Sequence, residues 1–198
     1  RTANRVFVVL GKFFAKTFDE LFGGVYQIEW QDIIVPDAKI YVTAKSEKSM
    51  LFSERACQSI SKRAIIEKLK KRYNKQWFDE TGDLYKIEIY LYRDFVYVLL
   101  DTTGDSLHKR GYRKIASDAP LKENIASALV ILSRWRQDQE VLWDPFCGSG
   151  TIAIEAALLA KNIAAGLNRT FLSEVNRFVT QDHWKHARIE AMERIDFN

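Results

Sequence analysis

The stretch Glu140-Val-Leu-Trp-Asp-Pro-Phe-Cys-Gly-Ser-Gly-Thr-Ile-Ala-Ile-Glu155 restricts the fold more than any other part of the 198-residue sequence. Its mostly apolar first four residues predict a buried strand. Asp144, Pro145 and a short turn through Gly148 and Gly150 follow, and Thr151 opens an alanine-rich helix expected to run to about Lys161. Strand, glycine turn and helix start make up the nucleotide-binding crevice of a doubly wound α/β domain. Gly148 and Gly150 can take backbone angles closed to other residues and let a ligand lie against the main chain. The pattern is not a P-loop, because Thr151 follows Gly150 with no lysine between them. Nor is it a dinucleotide fingerprint, because Ala153 stands where a third glycine belongs. The carboxylate of Asp144 suits a cationic or hydrogen-donating ligand better than a pyrophosphate. On spacing alone, a nucleotide-like cofactor site and a plain structural turn both satisfy the pattern.

Charge divides the chain. Residues 1–120 carry 21 Lys/Arg against 16 Asp/Glu, a balance of +5, whereas residues 121–198 carry 9 against 10. A basic first part beside a neutral second part fits a nucleic-acid-gripping module joined to a cofactor-binding one; a solvated basic face fits as well. In chain order, Arg5–Phe14 reads as a strand, and Thr17-Phe-Asp-Glu20 as a capping box opening a helix to about Tyr26. Lys39–Lys45 alternates as a strand. Ser53 caps a helix to about Tyr73, with Cys57, Ile60, Ala64, Ile65 and Leu69 toward the core and a basic opposite side. Leu84–Arg93 and Phe95–Asp101 read as an antiparallel pair about a tight Arg93-Asp94 turn. Leu121–Arg134 is a predicted helix with Ile125, Leu129 and Leu132 on its apolar side, and Phe171–Phe178 and Gln181–Ile195 also read as helical.

Three segments carry a family resemblance: Asp144-Pro-Phe-Cys-Gly-Ser-Gly-Thr151 with the Ile-Ala-Ile-Glu-Ala-Ala157 that follows, Leu107-His-Lys-Arg-Gly-Tyr-Arg113, and Ala119-Pro-Leu-Lys-Glu-Asn-Ile-Ala-Ser-Ala-Leu129. Together, and in this order, they resemble the THUMP-containing RNA methyltransferases that use S-adenosyl-L-methionine (AdoMet), most closely the bacterial large-subunit rRNA guanine-N2 methyltransferases. The region before Leu107 is more weakly similar to a THUMP module. The resemblance implies an α/β chain: an α+β THUMP-like RNA-binding module over residues 1–103, a basic linker over 104–120, and the first part of a Rossmann-like AdoMet methyltransferase domain over 121–198. It implies that Asp144, Pro145, Phe146, Cys147, Gly148, Ser149, Gly150 and Thr151 line the AdoMet pocket, with Lys122, Glu123 and Asn124 beside them. It also implies that more chain precedes Arg1 and follows Asn198. The Asn/Asp-Pro-Pro-Tyr loop of amino-methylating enzymes is absent, since Pro36, Pro120 and Pro145 are the only prolines and none are adjacent. No catalytic residue is therefore assigned within the sequence.

The implied partner is RNA, with phosphate contacts expected at Lys45, Lys48, Arg55, Lys62 and Arg63. In the linker, Lys109, Arg110, Arg113 and Lys114 surround Gly111 and Tyr112, and arginines beside an aromatic can clamp phosphate and stack a base. The alternative is a basic linker that packs its tyrosine inward. Cys57 and Cys147 show no metal spacing and read as reduced thiols of a cytoplasmic protein. His183 and His186, three apart, lack an obvious third ligand, so no metal is expected. No apolar run reaches membrane-spanning length. Two other functions are compatible with the motifs: a DNA adenine amino-methyltransferase, and an RNA-binding module without activity.

Overall fold

A computed structural model describes residues 1–113, 120–176 and 178–197. Lys114 and Ala119, which belong to motifs named above, lie outside the described residues, as does Arg177 within the expected Phe171–Phe178 helix. Two compact units form, one from Val6–Gly104 and the other from Arg1–Arg5 together with Asp105–Asn198. No helix among the described residues is long and apolar enough to cross a membrane.

The Val6–Gly104 unit is a four-stranded sheet with helices on one face. Its elements are β1 (Phe7–Phe14), α1 (Phe18–Tyr26), a 3-10 turn (Trp30–Asp32), β2 (Lys39–Glu47), α2 (Glu54–Tyr73), β3 (Leu84–Tyr92) and β4 (Phe95–Asp101). The spatial order is β1-β4-β3-β2, with β2 and β3 parallel and the other pairs antiparallel. A parallel pair needs a crossover element, and α2 supplies it. Alternation decides the buried face: Ile40, Val42 and Ala44 of β2, Ile87, Ile89 and Leu91 of β3, and Val96, Val98 and Leu100 of β4 all point inward. On α2, which packs on β2 and β3, Cys57, Ala64, Ile65 and Leu69 are buried as well; Ile60 is only half-buried.

The local signals explain the ends of these elements. Thr17 accepts a hydrogen bond from the Glu20 N–H at 3.2 Å, and the Glu20 carboxylate accepts from the Thr17 N–H at 3.1 Å, the reciprocal capping box. Ser53 caps α2, and Asn74 ends it in the left-handed region at φ 50°. Arg93 and Asp94 both take positive φ, 50° and 63°, as a two-residue hairpin turn requires.

The second unit contains α3 (Glu123–Ser133), α4 (Thr151–Ala160), α5 (Leu172–Val175) and α6 (Gln181–Glu193). Three expectations change here. The strand expected over 140–143 does not form; Val141 is 94% and Trp143 83% exposed. A strand exists only through hydrogen bonds to a neighbour, and no strand of this unit is present among its described residues to supply them. The Phe171–Phe178 helix shrinks to the single turn α5. In α3, Ile125, Leu129 and Leu132 lie exposed, while Asn124, Ala126, Ser127 and Val130 are buried. The inward face of α3 is set by polar anchoring: the Asn124 side-chain amide donates to the Thr2 carbonyl and to Asn4 Oδ1.

Ile89 sits at the centre of the sheet with no exposure. Ile89→Ala is expected to lower unfolding free energy by about 2–5 kcal/mol in urea titration, through lost transfer energy plus a residual cavity.

Candidate functional site

The Asp144–Thr151 turn is held by its own backbone. Asp144 Oδ1 accepts from the Phe146 N–H at 3.2 Å, and the Gly150 N–H donates to the Cys147 carbonyl at 2.8 Å. Gly148 and Gly150 adopt φ 52° and 72°. A Cβ at either position would meet nothing within 4 Å, so glycine is required by the left-handed backbone and not by crowding. The turn is open: Phe146 is 92% exposed, and Cys147, Gly148 and Ser149 are exposed. Gly150 is the N-cap of α4 and offers no side-chain acceptor to the first-turn N–H groups. Those donors, with the positive end of the helix dipole, face a surface that a polar ligand can reach.

Arg113 fastens the turn to the start of α3. Its Nε donates to Glu123 Oε1 at 3.0 Å, and its Nη2 donates to Thr151 Oγ1 at 2.9 Å. Its Nη1 reaches Ser149 Oγ at 3.4 Å. One guanidinium thus brings Glu123, Ser149 and Thr151 together. Lys122 is exposed at the N-cap of α3, whereas Asn124 is turned to the N-terminal segment and away from this group.

Beneath the turn lies a buried charge. Glu155, on the second turn of α4, has no exposure; Arg110 Nε approaches its Oε1 at 3.5 Å, and Tyr112 Oη donates to the same oxygen at 3.0 Å. The 3.5 Å approach is an ion pair without hydrogen-bond alignment, and Glu155 Oε2 has no hydrogen-bond partner. Arg110 also donates to the carbonyls of Leu107, at 2.8 Å, and Arg1. Burial, followed by the charge of Glu155, pushes the Tyr112 phenol well above its ordinary value. Removing one partner of such a buried pair leaves an uncompensated charge, at a cost of about 3–5 kcal/mol.

This geometry gives the linker side chains partners within the unit. Arg110 is 4% exposed at its side chain and committed to Glu155, Tyr112 gives its hydroxyl to the same carboxylate, and Arg113 is engaged by Glu123 and Thr151. These three residues brace the turn, which is the inward-packing alternative, and Arg110 is unavailable to phosphate. Lys109 is exposed and pairs with Asp105 at 3.5 Å.

Of the other expected phosphate contacts, Lys48 and Arg55 are exposed. Lys45 pairs with Glu88 at 3.2 Å, Lys62 with Glu80 at 2.9 Å and Arg63 with Glu67 at 3.9 Å. Exposed pairs contribute about 0–1 kcal/mol, so a phosphate can displace the carboxylate. Lys71 and Arg72 stand in the last turn of α2. Both line a cleft of about 470 Å³ with Tyr26, Glu29, Gln31 and Lys68. No group of three or more potential His, Cys, Asp or Glu metal ligands occurs among the described residues.

A THUMP domain family model matches residues 15–101, and the model for the RMKL-like methyltransferase domain matches residues 110–196. The chain joins a THUMP domain to an RMKL-like methyltransferase domain. A Bacillus subtilis (strain 168) protein named "Putative RNA methyltransferase YpsC" is 48% identical over 200 residues, covering 100% of this chain and 52% of the relative. The ribosomal RNA large subunit methyltransferase K/L of Buchnera aphidicola subsp. Schizaphis graminum is 33% identical, over 86% of this chain and 24% of its own length. The chain therefore spans about half the length of the first relative and a quarter of the second. A Listeria monocytogenes crystal structure named "predicted N6-adenine-specific DNA methylase" superposes with a TM-score of 0.94 at 45% identity, covering 99% of this chain and 52% of that one. The SMU.472 structure, solved with SAH, gives 0.90 at 43% identity, covering 98% and 52%.

The residue the sequence reading passed over is Glu155. Its signal was visible as a single acid in an otherwise apolar helix, a position that demands a partner. Tyr112→Phe removes one donor to this carboxylate and is expected to cost about 1–3 kcal/mol at neutral pH. Because the folded state raises the Tyr112 pKa, its contribution is complete below the ordinary tyrosine range and is lost as pH rises through and above it. Urea midpoints measured between about pH 9 and about pH 11 should therefore show the gap between wild type and Tyr112→Phe narrowing at the alkaline end.

Proposed function

We propose that the full-length protein transfers the methyl group of AdoMet to a guanine exocyclic amine in RNA, with cytoplasmic large-subunit rRNA as substrate. The observation that carries this reading is that one chain carries both the open Asp144–Thr151 turn and a THUMP domain. In this division of labour the THUMP-like module (residues 1–103) holds RNA, the 104–120 segment connects, and 121–198 supplies the first part of the cofactor domain. The K/L relative's name supports rRNA, and SAH in the SMU.472 structure is the compound that remains when AdoMet gives up its methyl group.

The residues present fit AdoMet. Its amino and hydroxyl groups are donors that the Asp144 carboxylate can accept. Its carboxylate matches the uncapped N–H groups opening α4. Gly148, Ser149, Gly150 and Thr151 offer main chain without bulky side chains, and Pro145, Phe146 and Cys147 supply an exposed wall on which the cofactor can settle. Lys122, Glu123 and Asn124 open the adjoining helix. AdoMet supplies a sulfonium-bound methyl group ready for in-line displacement. The chain's own part is positioning: Arg113 fixes the turn against α3, and Arg110 and Tyr112 fix α4 through Glu155. Lys45, Lys48, Arg55, Lys62, Arg63 and Lys109 are the proposed phosphate contacts, giving salt-dependent affinity without base selectivity.

A second reading, a DNA adenine amino-methyltransferase, draws on the name of the Listeria structure. The experiment is methyl transfer from labelled AdoMet by the full-length protein, with unmodified rRNA and duplex DNA in competition. Label is expected in rRNA guanine. Asp144→Ala is expected to raise the AdoMet KM roughly 10-fold or more, the loss of a charge-assisted hydrogen bond. Label in DNA, or an unchanged KM, would contradict the proposal.

A further inference from the structure

The face of the sheet opposite α1 and α2 has no covering element within the Val6–Gly104 unit, and its composition is unusual for bare surface. Side chains alternate along strands, so the residues between the buried ones point to this face. They include Tyr41 on β2, Tyr90 and Tyr92 on β3, Phe95 and Tyr97 on β4, and Phe14 on β1. Tyr41 is 52% exposed, Phe14 49% and Phe95 44%.

The rings fall into two contacting groups, with Lys12 reaching both. Tyr90 and Tyr92 lie 6.4 Å apart and nearly parallel, at 11°; Tyr90 and Tyr97 are 6.2 Å apart across the strands; Phe14 and Phe95 meet edge to face at 5.5 Å. Cations border them. Lys12 Nζ stands 5.3 Å from the Phe95 ring and 5.1 Å from Tyr97, and the Arg93 guanidinium is 5.3 Å from Tyr92. Lys39, Lys45 and Lys86 share the face, against Glu47 and Glu88.

We infer that this sheet face is a stacking platform for unpaired nucleotides of the RNA. The inference rests on the RNA reading above and adds which part of the RNA is held, and how. Aromatic rings carry base faces irrespective of sequence, and lysines at the border meet the phosphates between stacked bases. A duplex keeps its bases stacked on one another and offers no face to these rings. A protein partner fits less well, because lysine is depleted at protein interfaces relative to the rest of the surface, and Lys12, Lys39, Lys45 and Lys86 all lie on this face.

The test uses the full-length protein and a labelled 10-nucleotide single strand of mixed uridine and adenosine, with binding read by fluorescence anisotropy. Tyr97→Leu keeps an apolar side chain but removes the ring, and is expected to weaken binding roughly 5- to 100-fold. Tyr97→Phe should stay within about twofold because the stacking face survives. Lys12→Ala should reduce the salt slope by about 0.7, one phosphate contact on a single strand. Photocrosslinking with 4-thiouridine should label the β3–β4 hairpin. Affinity retained within about twofold by a Tyr97→Leu protein of wild-type melting temperature would overturn the inference. So would crosslinks confined to α2, equal affinity for duplex RNA, or a change in sedimentation mass in place of RNA affinity. If methylation of rRNA continues with an unchanged KM in Tyr97→Leu, only the platform fails. If the wild type neither binds nor methylates RNA, the reading beneath it fails too.

Discussion

The methyltransferase-domain unit depends on a charge that has nowhere else to go. Glu155 is fully buried on α4, and a carboxylate in that position is tolerated only with partners. Arg110 and Tyr112 provide them, and in doing so they pin the segment before α3 onto the helix behind the glycine turn. Arg113 follows directly in sequence, and its position lets one guanidinium reach Glu123, Ser149 and Thr151. The turn's own hydrogen bonds set its local shape, and Arg113 ties that shape to α3. The motif Lys109-Arg110-Gly111-Tyr112-Arg113 therefore braces the glycine turn through Arg110, Tyr112 and Arg113, while Lys109 faces solvent.

Much of the fold was legible because its signals are local. The Thr17 and Glu20 box, the alternation in β2 to β4, the basic helix from Ser53 and the Arg93-Asp94 turn all depend on neighbours a few residues away, and all appear as expected. The readings that changed depend on distant partners. Val141 and Trp143 have strand-like composition, but composition cannot supply a hydrogen-bonding neighbour. Ile125, Leu129 and Leu132 have helical spacing, yet Asn124 anchors the opposite side of α3 to Asn4, across 120 residues of sequence. The linker arginines were read by their charge, and only the three-dimensional positions of Glu155 and Glu123 reveal their partners.

The two units solve different problems. In the THUMP unit, cations are spread over α2 and the open sheet face, many in weak surface pairs that phosphate can replace. That arrangement favours grip over selectivity. In the other unit much of the charge is also exposed, but the buried Arg110–Glu155 contact and the Arg113–Glu123 pair hold one small loop.

The central claim is that the Asp144–Thr151 turn and the first turn of α4 receive AdoMet, and amide hydrogen exchange of the full-length protein with and without saturating AdoMet addresses it most directly. Slowed exchange at the amides from Gly148 to Ala153, with little change in β1 to β4, is the result this account requires. Saturation by AdoMet that leaves those amides exchanging at their free rate, with protection gained elsewhere, would contradict it.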